Sequence, residues 1–125
     1  MNNGYEAYYK TFYNWLKLVR SGKKLQSFFD DNYIKTIAIY GLNEFGKEIF
    51  YELKKLDINI LYGIDKNAEK IEFDEIEIFK PEENLRAVDA VIVTPLHFFA
   101  EIEEMLDKKG VKNIVSLEDI VRYCV

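Results

Sequence analysis

Residues 37–50 read Ile37-Ala38-Ile39-Tyr40-Gly41-Leu42-Asn43-Glu44-Phe45-Gly46-Lys47-Glu48-Ile49-Phe50. The first four residues form a short apolar run, too short for a helix and suited to a strand covered on both faces. Gly41 breaks that run, and Asn43 is a residue type that caps helices. Beyond it, Phe45, Ile49, Phe50, Leu53 and Leu56 fall on one helical stripe, while Lys47, Glu48, Lys54 and Lys55 face the other way. The stretch is therefore a strand, a tight glycine turn and a helix.

The pattern repeats downstream. Residues 58–64 are a second apolar run ending at Asp65-Lys66-Asn67, and Ile76 and Ile78 alternate with acidic neighbours. Residues 66–75 are charged and aperiodic and read as a loop. Pro81 suits the first turn of a brief helix reaching Leu85. Val88 to Thr94 is the most strand-like segment and Pro95 ends it; residues 96–109 are helical, with Phe98, Phe99, Ile102, Met105 and Leu106 apolar. A last strand over 112–115 leads into a helix capped by Ser116.

Strands alternating with helices predict an α/β fold, a three-layer Rossmann-like domain with about five parallel strands, preceded by two N-terminal helices. The expected division is 1–33 for the helical extension and 34–125 for the α/β domain. Right-handed crossovers place the crevice at the carboxyl ends of the first and fourth strands.

In the extension, Tyr5, Tyr9, Phe12, Leu16 and Val19 recur at spacings of three and four, with Tyr8, Trp15 and Leu18 widening the stripe. Packing of this stripe on the core is the first expectation, and a homodimer seam the second. A second helix over 23–32 would turn Leu25, Phe28 and Phe29 inward.

Composition narrows the function. The 125 residues are 49% hydrophobic and 31% charged, a globular rather than a disordered profile. Residues 1–40 hold six Lys and Arg against three Asp and Glu, net +3, and residues 41–125 hold eleven against nineteen, net −8, which sum to the chain's −5. So acidic a body disfavours nucleic acid, and no apolar run approaches the ~20 residues of a membrane span. One cysteine, Cys124, and the lack of an apolar leader point to a reducing cytoplasm.

The turn Gly41-Leu42-Asn43-Glu44-Phe45-Gly46 keeps the first and third glycines of the dinucleotide fingerprint G-x-G-x-x-G and has Asn43 at the second. The retained glycines serve the tight turn and the close packing of helix on sheet. The replaced one is the position where backbone approaches a pyrophosphate. Asn43 either caps the helix or turns out to donate to a phosphate oxygen, and Glu44 suits the helix dipole but repels an anion.

Asp65 follows Gly41 by 24 positions and ends the second strand, where such sites hold the acid that accepts from ribose hydroxyls. The competing reading is a turn-forming Asp. An acid there selects NAD over NADP, moderated by Lys66. Thr94 and Pro95 are expected across the crevice from Gly41, with Thr94 placed to contact a ribose or phosphate. His97, the only histidine, is a candidate acid–base group or a surface residue at a helix start. No zinc-type Cys/His spacing, G-x-S-x-G elbow or Walker lysine is present.

From Ile34 to Val121 the chain resembles short NAD(P)-binding-type Rossmann modules, particularly those of bacterial cell-surface polysaccharide proteins. The resemblance is carried by Ile39-Tyr40-Gly41 with Gly46-Lys47, Ile64-Asp65-Lys66-Asn67, Val88 to Thr94, and Val115-Ser116-Leu117-Glu118-Asp119-Ile120. Val88 to Pro95 is also similar to the nucleotide-binding half of the glucose-fructose oxidoreductases, although that pattern would put a histidine at Phe99 and adds a Glu-Lys-Pro motif missing here. The resemblance implies a nucleotide or dinucleotide, NAD first, bound by Gly41, Leu42, Asn43, Glu44, Phe45, Gly46, Asp65, Lys66, Thr94 and Pro95, without catalysis by the chain alone. An assembly domain with a vestigial site is the alternative, and an oxidoreductase subunit using His97 is the third reading.

Overall fold

The computed structural model describes residues 5–125. Five strands, β1 (Thr36–Tyr40), β2 (Asn59–Ile64), β3 (Ile78–Phe79), β4 (Ala90–Val93) and β5 (Ile114–Ser116), form one sheet in the order β3-β2-β1-β4-β5. Every neighbouring pair is parallel. The order reverses between β1 and β4, so their carboxyl ends open a crevice. Around the sheet lie α1 (Tyr5–Arg20), α2 (Gln26–Asp31), α3 (Glu44–Lys54), α4 (Phe99–Lys108) and α5 (Leu117–Cys124), with single 3-10 turns at Ala68–Lys70 and Leu96–Phe98. This is the Rossmann-like three-layer α/β fold that the alternation of runs predicts.

Side-chain alternation along the strands builds two cores. Ile37, Ile39 and Ile92 point to one face and pack with Leu18, Phe29, Ile49, Leu53, Leu117 and Ile120 from α1, α2, α3 and α5. Ala38, Tyr40, Val91 and Val93 point to the other, where Ile102 and Leu106 of α4 cover them. The N-terminal helices thus join the main core.

Two expectations are corrected. Residues 81–85, expected as a brief helix, form a turn and irregular chain. Glu83 N–H donates to Lys80 O and Lys80 N–H to Glu83 Oε2, which closes a single turn, while the Tyr62 hydroxyl donates to Arg86 O and Lys109 Nζ to Glu83 O.

The second concerns α1. Tyr5, Tyr9, Phe12, Leu16 and Val19, expected to face the core, are 75, 69, 44, 71 and 63% exposed. The inward face is the neighbouring one: Thr11 and Leu18 are buried, with Ala7, Tyr8 and Trp15 packed beside the core. Tyr8 decides the rotation, since its ring meets Phe45 edge-on at 5.2 Å and its hydroxyl accepts from Leu96 N–H at 3.2 Å. A helix apolar on two sides offers both faces to the periodicity, and only tertiary partners choose between them.

Candidate functional site

Gly41 leaves β1 with φ +97°, a left-handed conformation that a side chain resists. A Cβ there would lie 2.5 Å from Thr94 Oγ1 and 2.7 Å from Pro95 Cδ. At Gly46 a Cβ would lie 1.8 Å from the Gly41 carbonyl oxygen, so helix and strand approach closer than any side chain permits. Both glycines are fixed by the backbone crossing between β1 and α3.

The turn's polar groups are largely committed inside the protein. Asn43 caps α3, its Oδ1 accepting from Gly46 N–H at 3.1 Å. Asp65, half-buried at the end of β2, accepts from Leu42 N–H through Oδ2 at 2.8 Å and from Asn67 N–H through Oδ1 at 2.9 Å. Thr94 is 1% exposed, and its hydroxyl lies 3.0 and 2.9 Å from the Tyr40 and Gly41 carbonyl oxygens. Thr94 therefore acts on the turn from beneath. Two of the amides that a turn of this kind can offer a phosphate, those of Leu42 and Gly46, already have acceptors.

A cleft of about 480 Å³ opens above this turn, at the carboxyl ends of β1, β2 and β4. Of the residues singled out from sequence, Gly41, Asn43, Asp65, Lys66 and Pro95 line it. Leu42, Glu44, Phe45, Gly46 and Thr94 do not. Leu42 is fully buried, Glu44 is paired with Lys47 at 3.5 Å, and Phe45 lies edge-on to Tyr8 and Phe12, fastening α3 to α1.

The cleft also contains residues that periodicity did not assign to it: Tyr40, Asn67, Phe98, Glu101, Ile102 and Met105. Phe98, which ends the 3-10 turn, and Ile102 and Met105 of α4 sit at i, i+4 and i+7, and this spacing is the signal that identifies them once α4 is placed beside β4. Tyr40 is 4% exposed, and burial, then the charges of Asp65 and Glu82, raise its hydroxyl above the usual tyrosine range. It is thus a neutral hydrogen-bonding group on the cleft wall.

His97 stands outside this cleft. Its ring lies 4.0 Å from that of Phe98 and 5.8 Å from that of Tyr8. It lines a separate hollow of about 490 Å³ between α1, α4 and α5, with Glu6, Lys10 and Asp119. Among the described residues, no group of three or more His, Cys, Asp or Glu side chains is arranged to hold a metal ion. None of the described helices is long and apolar enough to cross a membrane.

The parallel sheet, the glycine turn and the cleft at its switch point define a Rossmann-like α/β domain. The family model described as C2185-like, N-terminal matches residues 33–116, more than half of the chain, and the chain belongs to that family. The match begins after α2, so α1 lies outside it. No curated protein and no solved structure matches the chain significantly.

Proposed function

We propose that this domain is a nucleotide-binding module that holds the nucleoside part of NAD or a related adenine nucleotide in the cleft above Gly41, and that it does not catalyse a reaction alone. The observation that carries the reading is Asp65. Two backbone amides fix its carboxylate on the cleft wall, and an ionised carboxylate has about four lone-pair sites, so two remain for a ribose diol. Phe98, Ile102 and Met105 supply an apolar wall for a flat base, and Lys66 lies beside Asp65.

Recognition in this reading is weighted toward the sugar, because Asp65 and Asn43 occupy the Leu42 and Gly46 amides. A 2′-phosphate would meet the Asp65 charge, so NAD is preferred to NADP. The polysaccharide-protein resemblance extends the proposal to a cytoplasmic accessory role in sugar or polysaccharide metabolism.

Thermal unfolding with NAD, ADP and NADP tests this. A ligand at a hundred times its dissociation constant stabilises by about 2.7 kcal/mol, a rise of several degrees for a domain this size. NAD and ADP are expected to raise the midpoint and NADP to raise it less. No shift with any of them at millimolar concentration would overturn the proposal.

A further inference from the structure

The outward face of α1 has the pattern of a surface built to meet another helix. Tyr5, Tyr9, Phe12, Leu16 and Val19 follow spacings of four, three, four and three, the 3.5-residue repeat of a helix–helix seam. All five are at least 44% exposed and share one helical face, an apolar surface that scattered single residues do not produce. Beside the stripe runs a groove of about 470 Å³ between α1 and α3, with Leu16, Val19, Phe45 and Ile49 among its walls and Glu48 and Glu52 on the α3 side.

We propose that this groove receives α1 of a second copy of the chain, giving a two-fold seam of two α1 and two α3 helices. Charge selects the occupant. Lys17 and Arg20 are three residues apart in the last turn, so these two cations share one flank of α1. Helix α3 lies on the opposite flank, where Phe45 meets Tyr8 and Phe12 at 5.2 and 5.4 Å. When two α1 stripes face each other across a two-fold axis, the flank turned away from its own α3 faces the other copy's α3. There Lys17 and Arg20 meet Glu48 and Glu52, and the symmetry repeats the contact.

The local contacts these charges make, Lys17 over the Tyr13 ring and Glu52 with Lys55, are exposed and rearrange at little cost. The charge division of the whole chain, +3 over residues 1–40 and −8 over 41–125, has the same sense. The inference goes beyond nucleotide binding and does not depend on what the cleft holds.

The test is sedimentation equilibrium on the full chain across a range of concentrations, with circular dichroism as the control for folding. Wild type is expected to reach twice the 14.8 kDa chain mass, and Phe12→Glu with Leu16→Glu to remain at that single mass with an unchanged spectrum. Lys17→Glu with Arg20→Glu should weaken dimerisation about tenfold or more, and adding Glu48→Lys with Glu52→Lys should recover most of the loss. A monomeric wild type at about 100 µM, well above the dissociation constants of stable dimers, would overturn the proposal and leave the groove to a different protein. So would a dimer indifferent to Phe12 and Leu16, or a charge reversal that the exchanged glutamates fail to rescue.

Discussion

The turn after β1 and the outer face of α1 have opposite relations between pattern and use. The turn carries the most specific motif in the chain, and its polar groups are largely spent inward: Asn43 on Gly46, Asp65 on Leu42, Thr94 on Tyr40 and Gly41. The outer face of α1 has no motif with a chemical name, yet it leaves Tyr9, Leu16 and Val19 63% exposed or more. A motif can hold a fold together while a plain apolar stripe supplies the surface still available for contact.

The sharpest way to break this contrast is Gly46→Ala. A Cβ 1.8 Å from the Gly41 carbonyl cannot be accommodated by rotamer changes, because the obstacle is backbone. A loss of about 3 kcal/mol or more in urea unfolding is expected. Thr94→Val comes next. It keeps the shape and removes the buried hydroxyl that bridges Tyr40 and Gly41, costing about 1–3 kcal/mol on the same measurement.

Asn43→Ala should cost about 1 kcal/mol, the usual value of a helix N-cap. If it also leaves nucleotide binding unchanged, the side chain serves only the helix. If binding is lost beyond the stability effect, Asn43 also faces the ligand.

A smaller, pH-dependent effect sits at the other end of β1. Asp89 Oδ2 accepts from the Lys35 and Thr36 amides at 2.8 and 3.0 Å, and these bonds hold its pKa below the ordinary carboxylate range. A depressed folded-state pKa contributes stability above the unfolded-state value, and that contribution is lost as pH falls through the folded-state value. Asp89→Asn should therefore flatten the acid limb of a stability–pH profile below about pH 4. Tyr9→Ser and Val19→Ser on the stripe should change monomer stability least, by about 0.5 kcal/mol or less.

Much of the fold is legible in the sequence because each strand is a short apolar run and each helix a 3.6-residue stripe. Ile37 to Tyr40 and Ala90 to Val93 are examples, both wholly buried. The face of α1 is not legible, since two apolar stripes compete and the winner is set by Tyr8 meeting Phe45 and Leu96. Residues 81–85 mislead too: Pro81 is a sound helix start, but the chain closes only one turn, Glu83 to Lys80, and Tyr62 and Lys109, remote in sequence, bond Arg86 O and Glu83 O. At the cleft, Gly41, Asn43, Asp65, Lys66 and Pro95 were readable from their places after strands. Phe98, Ile102 and Met105 were not, because their common face becomes a cleft wall only when α4 is laid beside the turn.

The central claim is that the cleft above Gly41, not the interior of the turn, receives a nucleotide. An amide NMR titration with NAD tests it most directly. Progressive, saturable shifts are expected at Lys66, Asn67, Phe98 and Glu101, with smaller ones at Leu42 and Gly46, whose N–H groups are already bound. A spectrum unchanged at millimolar NAD, or shifts confined to residues away from the cleft, would contradict it.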